Sequence, residues 1–163
     1  MAETAAPPRP ATGLERGPDY GDDFFLWSRH QAALIRAGRF DLVDWANVAE
    51  EIESLGSSNL RQLGNRLDVL ITHLLKWQFQ PRNRSGSWSG TIRTQRGRIL
   101  RLLKQSPSLR QHVAAEAEDG YPRAVATAAD ETRLPRAQFP STCPYTVEEL
   151  LDEEFFPGPI DET

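Results

Sequence analysis

A stripe of large apolar residues in the middle of the chain gives the clearest indication of its structure. The residues of the stripe recur alternately at steps of three and four, and they are Leu60, Leu63, Leu67, Leu70, Leu74 and Trp77. An α-helix places such positions along one face, because it has 3.6 residues per turn. Ile71 and Leu75 widen that face. The pattern therefore predicts a long helix that packs along its whole length against other helices.

A first helix is predicted upstream of the stripe. Aromatic and aliphatic residues after Asp22 are separated by polar residues at helical spacing. Either Asp22 or Asp23 can cap the helix, because a short carboxylate accepts hydrogen bonds from free backbone N–H groups. Gly38 provides a stop signal at the other end. The expected helix spans about residues 22–37.

Residues 44–79 are predicted to form either one helix or two. Asp44 is the expected cap, and four apolar residues then recur at helical spacing: Trp45, Val48, Ile52 and Leu55. The segment Gly56-Ser57-Ser58 separates this group from the leucine stripe. It either breaks the helix or bends it, because glycine and serine are weak helix formers.

A third helix is predicted after a short polar loop. Pro81 ends the preceding helix, and the loop covers residues 80–87. Ser85 or Ser87 caps the third helix, which carries apolar residues on one side. The basic residues expected on its solvent side are Arg93, Arg96, Arg98, Arg101 and Lys104. Because the loop is short, the two helices should form an antiparallel hairpin.

A fourth helix is predicted over about residues 107–131. Ser106 followed by Pro107 is typical of a helix start, because proline is favoured at the first helical position. Gly120 and Pro122 lie inside the segment and should kink or split the helix.

A short fifth helix is predicted near the end of the chain. Thr146 and Glu149 match a capping box, and the helix should extend to about Leu151. Residues 132–145 before it contain three prolines and are expected to be extended coil. No segment shows the alternation that is typical of a strand. The sequence therefore predicts an all-α fold, a helical bundle of four main helices with a long antiparallel hairpin and a short C-terminal helix.

Composition divides the chain into a helical domain and two tails. Residues 1–18 contain four prolines and few large apolar groups, so they are expected to be a disordered tail. Residues 19–157 are predicted to form a single helical domain, and residues 158–163 a flexible C-terminal tail. The beginning of the chain lacks the apolar segment of a secretory signal, and no run approaches the roughly 18 apolar residues of a membrane span. The single cysteine excludes a disulfide framework. Together these features predict a cytoplasmic protein without a membrane partner.

Basic and acidic residues are unevenly distributed, although the net charge is only −4. Residues 1–60 hold five basic and ten acidic side chains, residues 61–110 hold eleven and one, and residues 111–163 hold three and twelve. The favoured interpretation is internal neutralisation, in which acidic helices pack beside basic ones. The alternative is a basic surface that binds a polyanion.

Several stretches of the chain together resemble a known family. They are YGDDFFLWSRHQAALIRAGRF, WANVAEEIESLG, LLKWQFQPRNRSGSWSGTIRTQRGRI, SPSLR and FPSTCPYTVEELLDEEFFP. In combination they span about residues 20–157 and resemble the bacterial family of domains of unknown function numbered 29. The resemblance implies an all-helical single domain from a bacterium, and it implies no activity.

The loop before the third helix carries the best candidate for a binding site. Arg82 and Arg84 precede a helix N-terminus, whose free N–H groups and positive dipole end favour an anion. Guanidinium groups would add charge-assisted hydrogen bonds. The candidate residues for binding a phosphate, a carboxylate or a nucleic-acid backbone are Arg82, Arg84, Ser85, Ser87, Arg93 and Arg96. The favoured alternative is a solvated loop whose arginines pair with neighbouring carboxylates.

The sequence predicts no catalytic residues, no metal site and no cofactor. Its three histidines, His30, His73 and His112, are scattered, and a pair such as His112 and Glu116 does not make a metal site. His73 lies beside the leucine stripe and is expected to be hydrogen-bonded and partly buried. Cys143 has no partner thiol and no histidine nearby in sequence, so it is expected to be a small buried packing residue.

Two classes of function are left by these observations. The favoured one is a non-catalytic interaction module, which associates with a protein partner or with a second copy of itself through apolar helix faces. The alternative is binding of an anion or a nucleic acid through the central basic loop and the arginine-rich third helix. Nucleic acid is not the favoured ligand, because the chain contains no recognised nucleic-acid motif. An enzymatic role ranks third.

Overall fold

The computed structural model describes residues 17–160, which contain five α-helices joined by 3₁₀ turns and coil. The helices are α1 Phe24–Arg36, α2 Trp45–Phe79, α3 Gly86–Gln105, α4 Val113–Thr132 and α5 Val147–Leu151. None of the described residues forms a β-strand. The predicted all-α bundle with four substantial helices is therefore confirmed. The predicted disordered tail lies outside the described residues except for its last two positions, and so does the end of the predicted C-terminal tail.

Local sequence signals set the two ends of α1. The carboxylate of Asp23 accepts a hydrogen bond from the backbone N–H of Leu26 at 2.9 Å, so Asp23 is the cap. At the other end, Gly38 has a φ of 68°, in the left-handed region that glycine adopts without strain. The helix ends at Arg36, one residue earlier than expected.

Residues 45–79 form one continuous helix, α2, of 35 residues. Asp44 caps it as expected, because its carboxylate accepts a hydrogen bond from the backbone N–H of Asn47 at 3.3 Å. The segment Gly56-Ser57-Ser58 lies inside the helix without breaking it. The structure groups the residues up to Leu55 into one compact unit and those from Gly56 onward into another. We call the described parts the first unit, residues 17–55, and the second unit, residues 56–160; a single domain over residues 19–157 stays a prediction.

The leucine stripe of α2 forms the centre of the core of the second unit. Its four middle residues, Leu63, Leu67, Leu70 and Leu74, are fully buried. The core also includes apolar residues of α3, α4 and α5. The face predicted from the three- and four-residue steps is therefore the face that packs against the other helices.

Helices α2 and α3 run antiparallel, as predicted. The ammonium nitrogen of Lys76, near the end of α2, lies 4.6 Å from the ring centroid of Trp88, near the start of α3. Earlier in α2, Arg66 lines the same cavity as Arg98 and Arg101, which lie late in α3. Opposite ends of the two helices are thus neighbours, as they are in a hairpin.

Helix α3 departs from the expected pattern at Arg96. The prediction that places this side chain on the solvent face is wrong, because Arg96 is fully buried. Position 96 lies on the stripe of Ile92, Ile99 and Leu103, which are buried as well. The steps of four, three and four residues between these positions put the arginine on the apolar face.

Helix α4 starts later than expected and is not split. Residues 107–112 form a 3₁₀ helix, and α4 then continues from Val113 through Pro122 to Thr132. Of the two predicted alternatives, a kink or a split, the split is therefore excluded, and the kink stays a prediction. A side chain at Gly120 would overlap the carboxylate of Asp68 on α2, so glycine permits the close approach of the two helices at this point.

The predicted capping box begins the short helix α5. The Thr146 hydroxyl accepts a hydrogen bond from the Glu149 N–H at 3.2 Å, and the Glu149 carboxylate accepts one from the Thr146 N–H at 2.8 Å. Beyond α5, Phe155 and Phe156 pack against the core. In the part of the chain that the structure describes, no helix is long and apolar enough to cross a lipid bilayer.

Candidate functional site

The buried Arg96 binds the backbone of the C-terminal segment. Its guanidinium donates hydrogen bonds from Nε to the Leu150 carbonyl at 3.1 Å, from Nη1 to the Phe155 carbonyl at 2.5 Å, and from Nη2 to the Glu149 carbonyl at 3.0 Å. Burial lowers the pKa of Arg96 below its ordinary value, and the Asp152 carboxylate opposes this shift. Each of the three guanidinium nitrogens therefore donates to a backbone carbonyl oxygen, and the positive charge lies among these oxygens inside the fold.

Two more arginines of the predicted anion site face the same segment. Arg84 donates from Nε to the Trp77 carbonyl at 2.9 Å and from Nη2 to the Pro157 carbonyl at 3.4 Å. Its guanidinium also lies 4.9 Å from the ring centroid of Trp77. Arg93 lies 5.5 Å from the ring centroid of Phe156, which packs against Trp77. We call Arg84, Arg93, Arg96 and Trp77 the C-terminal clasp.

The other candidates of the predicted anion site lie at the surface of the loop. Ser85 caps α3, because its hydroxyl accepts a hydrogen bond from the Trp88 N–H at 3.3 Å. Arg82 lies in a 3₁₀ turn and is exposed, and Ser87 is exposed in the first turn of α3. The structure thus gathers three of the four candidate arginines around the C-terminal segment. Anion binding at this loop stays a prediction.

The first unit exposes many of its large apolar side chains. In the first turns of α2, the exposed fraction is 52% for Trp45, 64% for Ile52 and 67% for Leu55. We call these three residues the α2 apolar stripe. The other exposed large apolar residues of this unit are Phe24, Phe25, Leu26, Ile35 and Phe40. Contiguous apolar surface on a protein is commonly a site of interaction.

Polar contacts hold α1 and the preceding residues to the start of α2. The Tyr20 hydroxyl donates a hydrogen bond to the Glu51 carboxylate at 2.5 Å, and this contact is the main cause of a raised pKa of Tyr20. The Tyr20 and Trp27 rings meet edge to face at 4.8 Å. The side-chain oxygen of Gln31 accepts a hydrogen bond from the Asp44 N–H at 2.9 Å. One side of α2 is therefore fixed within the unit.

The residues beside the α2 apolar stripe carry only negative charge. Between residues 45 and 55 the sequence contains Glu50, Glu51 and Glu53 and no lysine or arginine. Glu50 and Glu53 are exposed. The stripe is thus an apolar seam with an acidic border.

A groove between α2 and α4 contains titratable groups that pair with one another. Its volume is about 450 Å³, and its lining includes Asp68, His73, Arg123 and Glu131. Arg123 Nε lies 2.9 Å from an Asp68 oxygen, and Glu131 accepts a hydrogen bond from Lys76. His73 is half-buried, with Nδ1 2.9 Å from a carbonyl oxygen of its own helix, and burial lowers its pKa. The Arg123–Asp68 and Lys76–Glu131 pairs therefore join α2 to α4.

The surroundings of Cys143 favour its protonated form. Cys143 is half-buried against the core and its thiol donates to the Tyr145 carbonyl at 3.8 Å. Burial raises the pKa of this thiol from 9.0, so it stays protonated at neutral pH. Within residues 17–160, no group of three or more His, Cys, Asp or Glu side chains is arranged to hold a metal ion.

Comparison with known proteins identifies a family that the chain matches. The model of the family described as Domain of unknown function DUF29 matches residues 20–156. This range covers the stretches that carry the resemblance found in the sequence, except for their last residue, Pro157, and the resemblance is therefore confirmed. No curated protein and no solved structure matches the chain.

Proposed function

We propose that this chain, which belongs to the DUF29 family, is a non-catalytic interaction module that binds a basic amphipathic helix of another protein. The observation that carries the proposal is the exposure of the α2 apolar stripe. Trp45, Ile52 and Leu55 each leave half or more of their surface uncovered. Burying an apolar side chain of this size is worth about 1.5–3 kcal/mol. A partner that covers the stripe would gain much of that free energy.

The spacing of the stripe favours a helix as the partner element. Trp45, Ile52 and Leu55 are separated by seven and three residues, and Val48 lies between the first two on the same face. Steps of three and four produce a narrow seam of the kind that two packed helices share. Helix recognition in other complexes uses the same set of positions as anchors. The partner is therefore expected to present its own apolar stripe at helical spacing.

The acidic border favours a basic partner over a second copy of this chain. Two α2 apolar stripes packed together would bring Glu50 and Glu53 of one copy near the same residues of the other. Like charges across an interface disfavour association, whereas lysine or arginine beside the partner stripe would pair with these carboxylates. The occupant we propose is thus a helix with an apolar stripe and basic flanks.

We also propose that this interaction takes place in the cytoplasm. The chain contains one cysteine, Cys143, and so no internal disulfide that would require an oxidising compartment. Fractionation of cells that make the natural protein should recover it with the cytosolic proteins. Recovery with membranes or outside the cell would contradict this location.

Calorimetric titration with defined peptides tests the proposed partner. The probe is a synthetic amphipathic peptide with leucine on one face and lysine on the flanks. Two further peptides serve as comparisons: one has glutamate in place of lysine, and one has the same composition in scrambled order. The full chain should bind only the first peptide, because only that peptide offers both an apolar stripe and opposite charge.

Substitutions in α2 locate the binding. Ile52→Gln and Leu55→Gln should each weaken binding of the lysine peptide by about tenfold, because anchor residues of an interface carry such losses. Val69→Gln is the matched control, since Val69 is also an exposed apolar residue of α2. The control should bind as the unaltered chain does.

Three results would contradict the proposal. One is equal binding of the lysine peptide by the Ile52→Gln variant, and another is equal binding of the glutamate peptide. The third is dimerisation of the chain alone, measured by light scattering, that Ile52→Gln abolishes. That last result would make a second copy the occupant of the stripe.

A further inference from the structure

A cavity between α2 and α3 brings three arginines together. Its volume is about 160 Å³, and its lining residues are Gln62, Arg66, Arg98, Arg101, Leu102 and Gln105. The lining contains no acidic side chain. Arg98 and Arg101 are exposed, whereas Arg66 is half-buried. The cavity is therefore a small concave surface with three positive charges.

The three arginines of this cavity differ from the other arginines of the second unit in how their charges are compensated. Within the described residues of the second unit, no carboxylate forms an ion pair with Arg66, Arg98 or Arg101, whereas Arg123 pairs with Asp68 and Asp119. The Nε atom of Arg66 is buried, and none of residues 17–160 accepts a hydrogen bond from it. A buried donor without an acceptor lowers stability, and so does repulsion between neighbouring positive charges.

We propose that this cavity binds a phosphate group. A phosphate places several acceptor oxygens among the guanidinium groups, which donate paired N–H groups in a planar arrangement suited to oxyanions. The amides of Gln62 and Gln105 provide further N–H donors from the two helices. Binding would also supply an acceptor for the unpaired Nε of Arg66.

The size and the lining of the cavity restrict the ligand. A volume of 160 Å³ is well below the roughly 300–1,000 Å³ of sites that enclose whole small molecules. The cavity therefore holds the phosphate group and leaves the rest of an ester outside. None of its lining residues is aromatic, so it offers no surface on which a nucleic-acid base could stack. Inorganic phosphate and a small phosphate monoester share the chemistry that fits.

This site differs from the predicted anion site at the loop. None of the candidates for that site, Arg82, Arg84, Ser85, Ser87, Arg93 and Arg96, lines the cavity. The site also does not depend on the proposed binding of a basic helix, because it lies within the second unit. Either proposal can fail without the other.

Thermal unfolding of the full chain in phosphate tests the site. The thermal midpoint is measured in inorganic phosphate, in glycerol phosphate, and in chloride at the same ionic strength. At a concentration about tenfold above the dissociation constant, the phosphate group should raise the midpoint by about 3–6 °C. A larger shift with the monoester would identify an esterified phosphate as the better ligand, and a larger shift with inorganic phosphate would identify the free ion. Phosphorus NMR should show broadening of the ligand signal by the protein.

Variants distinguish the site from the general stabilisation that phosphate gives to proteins. Arg98→Gln and Arg101→Gln change exposed side chains, so the variants should fold, and each should weaken phosphate binding by about three- to tenfold. Arg136→Gln removes an equal charge from an exposed position elsewhere and should keep the full shift. Equal phosphate shifts in all three variants, or no broadening of the phosphorus signal, would overturn the proposal.

Discussion

The two compact units differ in what covers the apolar face of the helix they share. In the second unit, Leu67 of α2 is 0% exposed, whereas Leu55 in the first unit is 67% exposed, although both follow the same helical spacing. Helices α3 and α4 contribute to the core around Leu67. The comparison shows that periodicity identifies the residues that share a face. Whether the face is covered depends on elements that are distant in sequence.

The units also differ in how charge is compensated. In the second unit, the fully buried Arg96 has an acceptor for every nitrogen, and Lys76 pairs with Glu131. In the first unit, Glu50 and Glu53 are exposed beside the α2 apolar stripe. Within the second unit, Arg96 and Lys76 therefore have partners inside the fold, whereas the arginines of the three-arginine cavity form no ion pair with its described residues. The first unit presents an apolar and acidic surface outward.

The largest effect expected in this comparison comes from Arg96. Arg96→Met retains much of the side-chain volume but leaves one buried and two partly buried carbonyl groups without their donors, so it should lower the free energy of unfolding by about 3–5 kcal/mol. Urea denaturation followed by circular dichroism measures this loss. Arg93→Gln is the control, because exposed Arg93 lies over the Phe156 ring, and it should cost about 1 kcal/mol or less. Equal losses in the two variants would show that burial of Arg96 does not matter to stability.

A leucine pair on α2 tests the comparison most closely. Leu67→Ala should lower the free energy of unfolding by about 2–5 kcal/mol, because it removes buried methyl groups and leaves a cavity. Leu55→Ala should change it by about 0.5 kcal/mol or less, because that side chain is already in water. The measurement is urea denaturation of both variants. A loss for Leu55→Ala as large as that for Leu67→Ala would mean that the first-unit face is covered within the chain.

The cap of α5 should give a smaller effect. This helix supplies carbonyl groups to Arg96, and its start depends on the Thr146 hydroxyl. Thr146→Ala should cost about 1 kcal/mol, the usual value for loss of a cap, in thermal or urea unfolding. Thr142→Ala, in exposed coil, is the control and should be near neutral. An unchanged stability of Thr146→Ala to unfolding would show that the start of α5 does not contribute to the stability of the C-terminal clasp.

The smallest expected effect is a pH dependence from His73. Burial lowers the pKa of His73 below its ordinary 6.5, and the Lys76 ammonium lowers it further, while the Val69 carbonyl and the Glu131 carboxylate oppose the shift. The unfolded chain therefore binds this proton more readily than the folded chain does. The stabilisation from neutral His73 is complete above pH 6.5 and is lost as the pH falls through 6.5 toward the lower folded pKa.

The test compares unfolding free energies at neutral and mildly acidic pH. His73→Gln should lose less stability than the unaltered chain over this interval, because glutamine does not titrate. His112→Gln leaves His73 in place and should retain the original loss. An unchanged pH dependence in His73→Gln would contradict the role assigned to burial of this side chain.

Helix positions could be predicted from the sequence because local signals determine them. The leucine stripe, the cap at Asp44 and the capping box at Thr146 all lie within a few residues of the structure they produce. The continuity of α2 through Gly56 could not be predicted in this way. Weak helix formers lower the stability of a helix without deciding where it ends.

The partners of the arginines could not be predicted from local sequence, because they are distant along the chain. Arg96 binds carbonyl groups more than fifty residues away in sequence, although its spacing from Ile92 and Ile99 already placed it on the buried face. The three-arginine cavity, in contrast, could have been predicted from the antiparallel arrangement of the hairpin. Arg66 and Arg98 lie equally far from the loop residue Arg82, so an antiparallel hairpin turning there brings them together.

The central claim is that the first unit offers the α2 apolar stripe to a basic helix while the second unit does not take part. Nuclear magnetic resonance of the labelled full chain, titrated with the lysine-flanked amphipathic peptide, measures this directly. The account predicts that the largest shifts of backbone amide signals fall at residues 45–55, with those of residues 56–160 nearly unchanged. Shifts concentrated in residues 56–160, or no shifts at all, would contradict it.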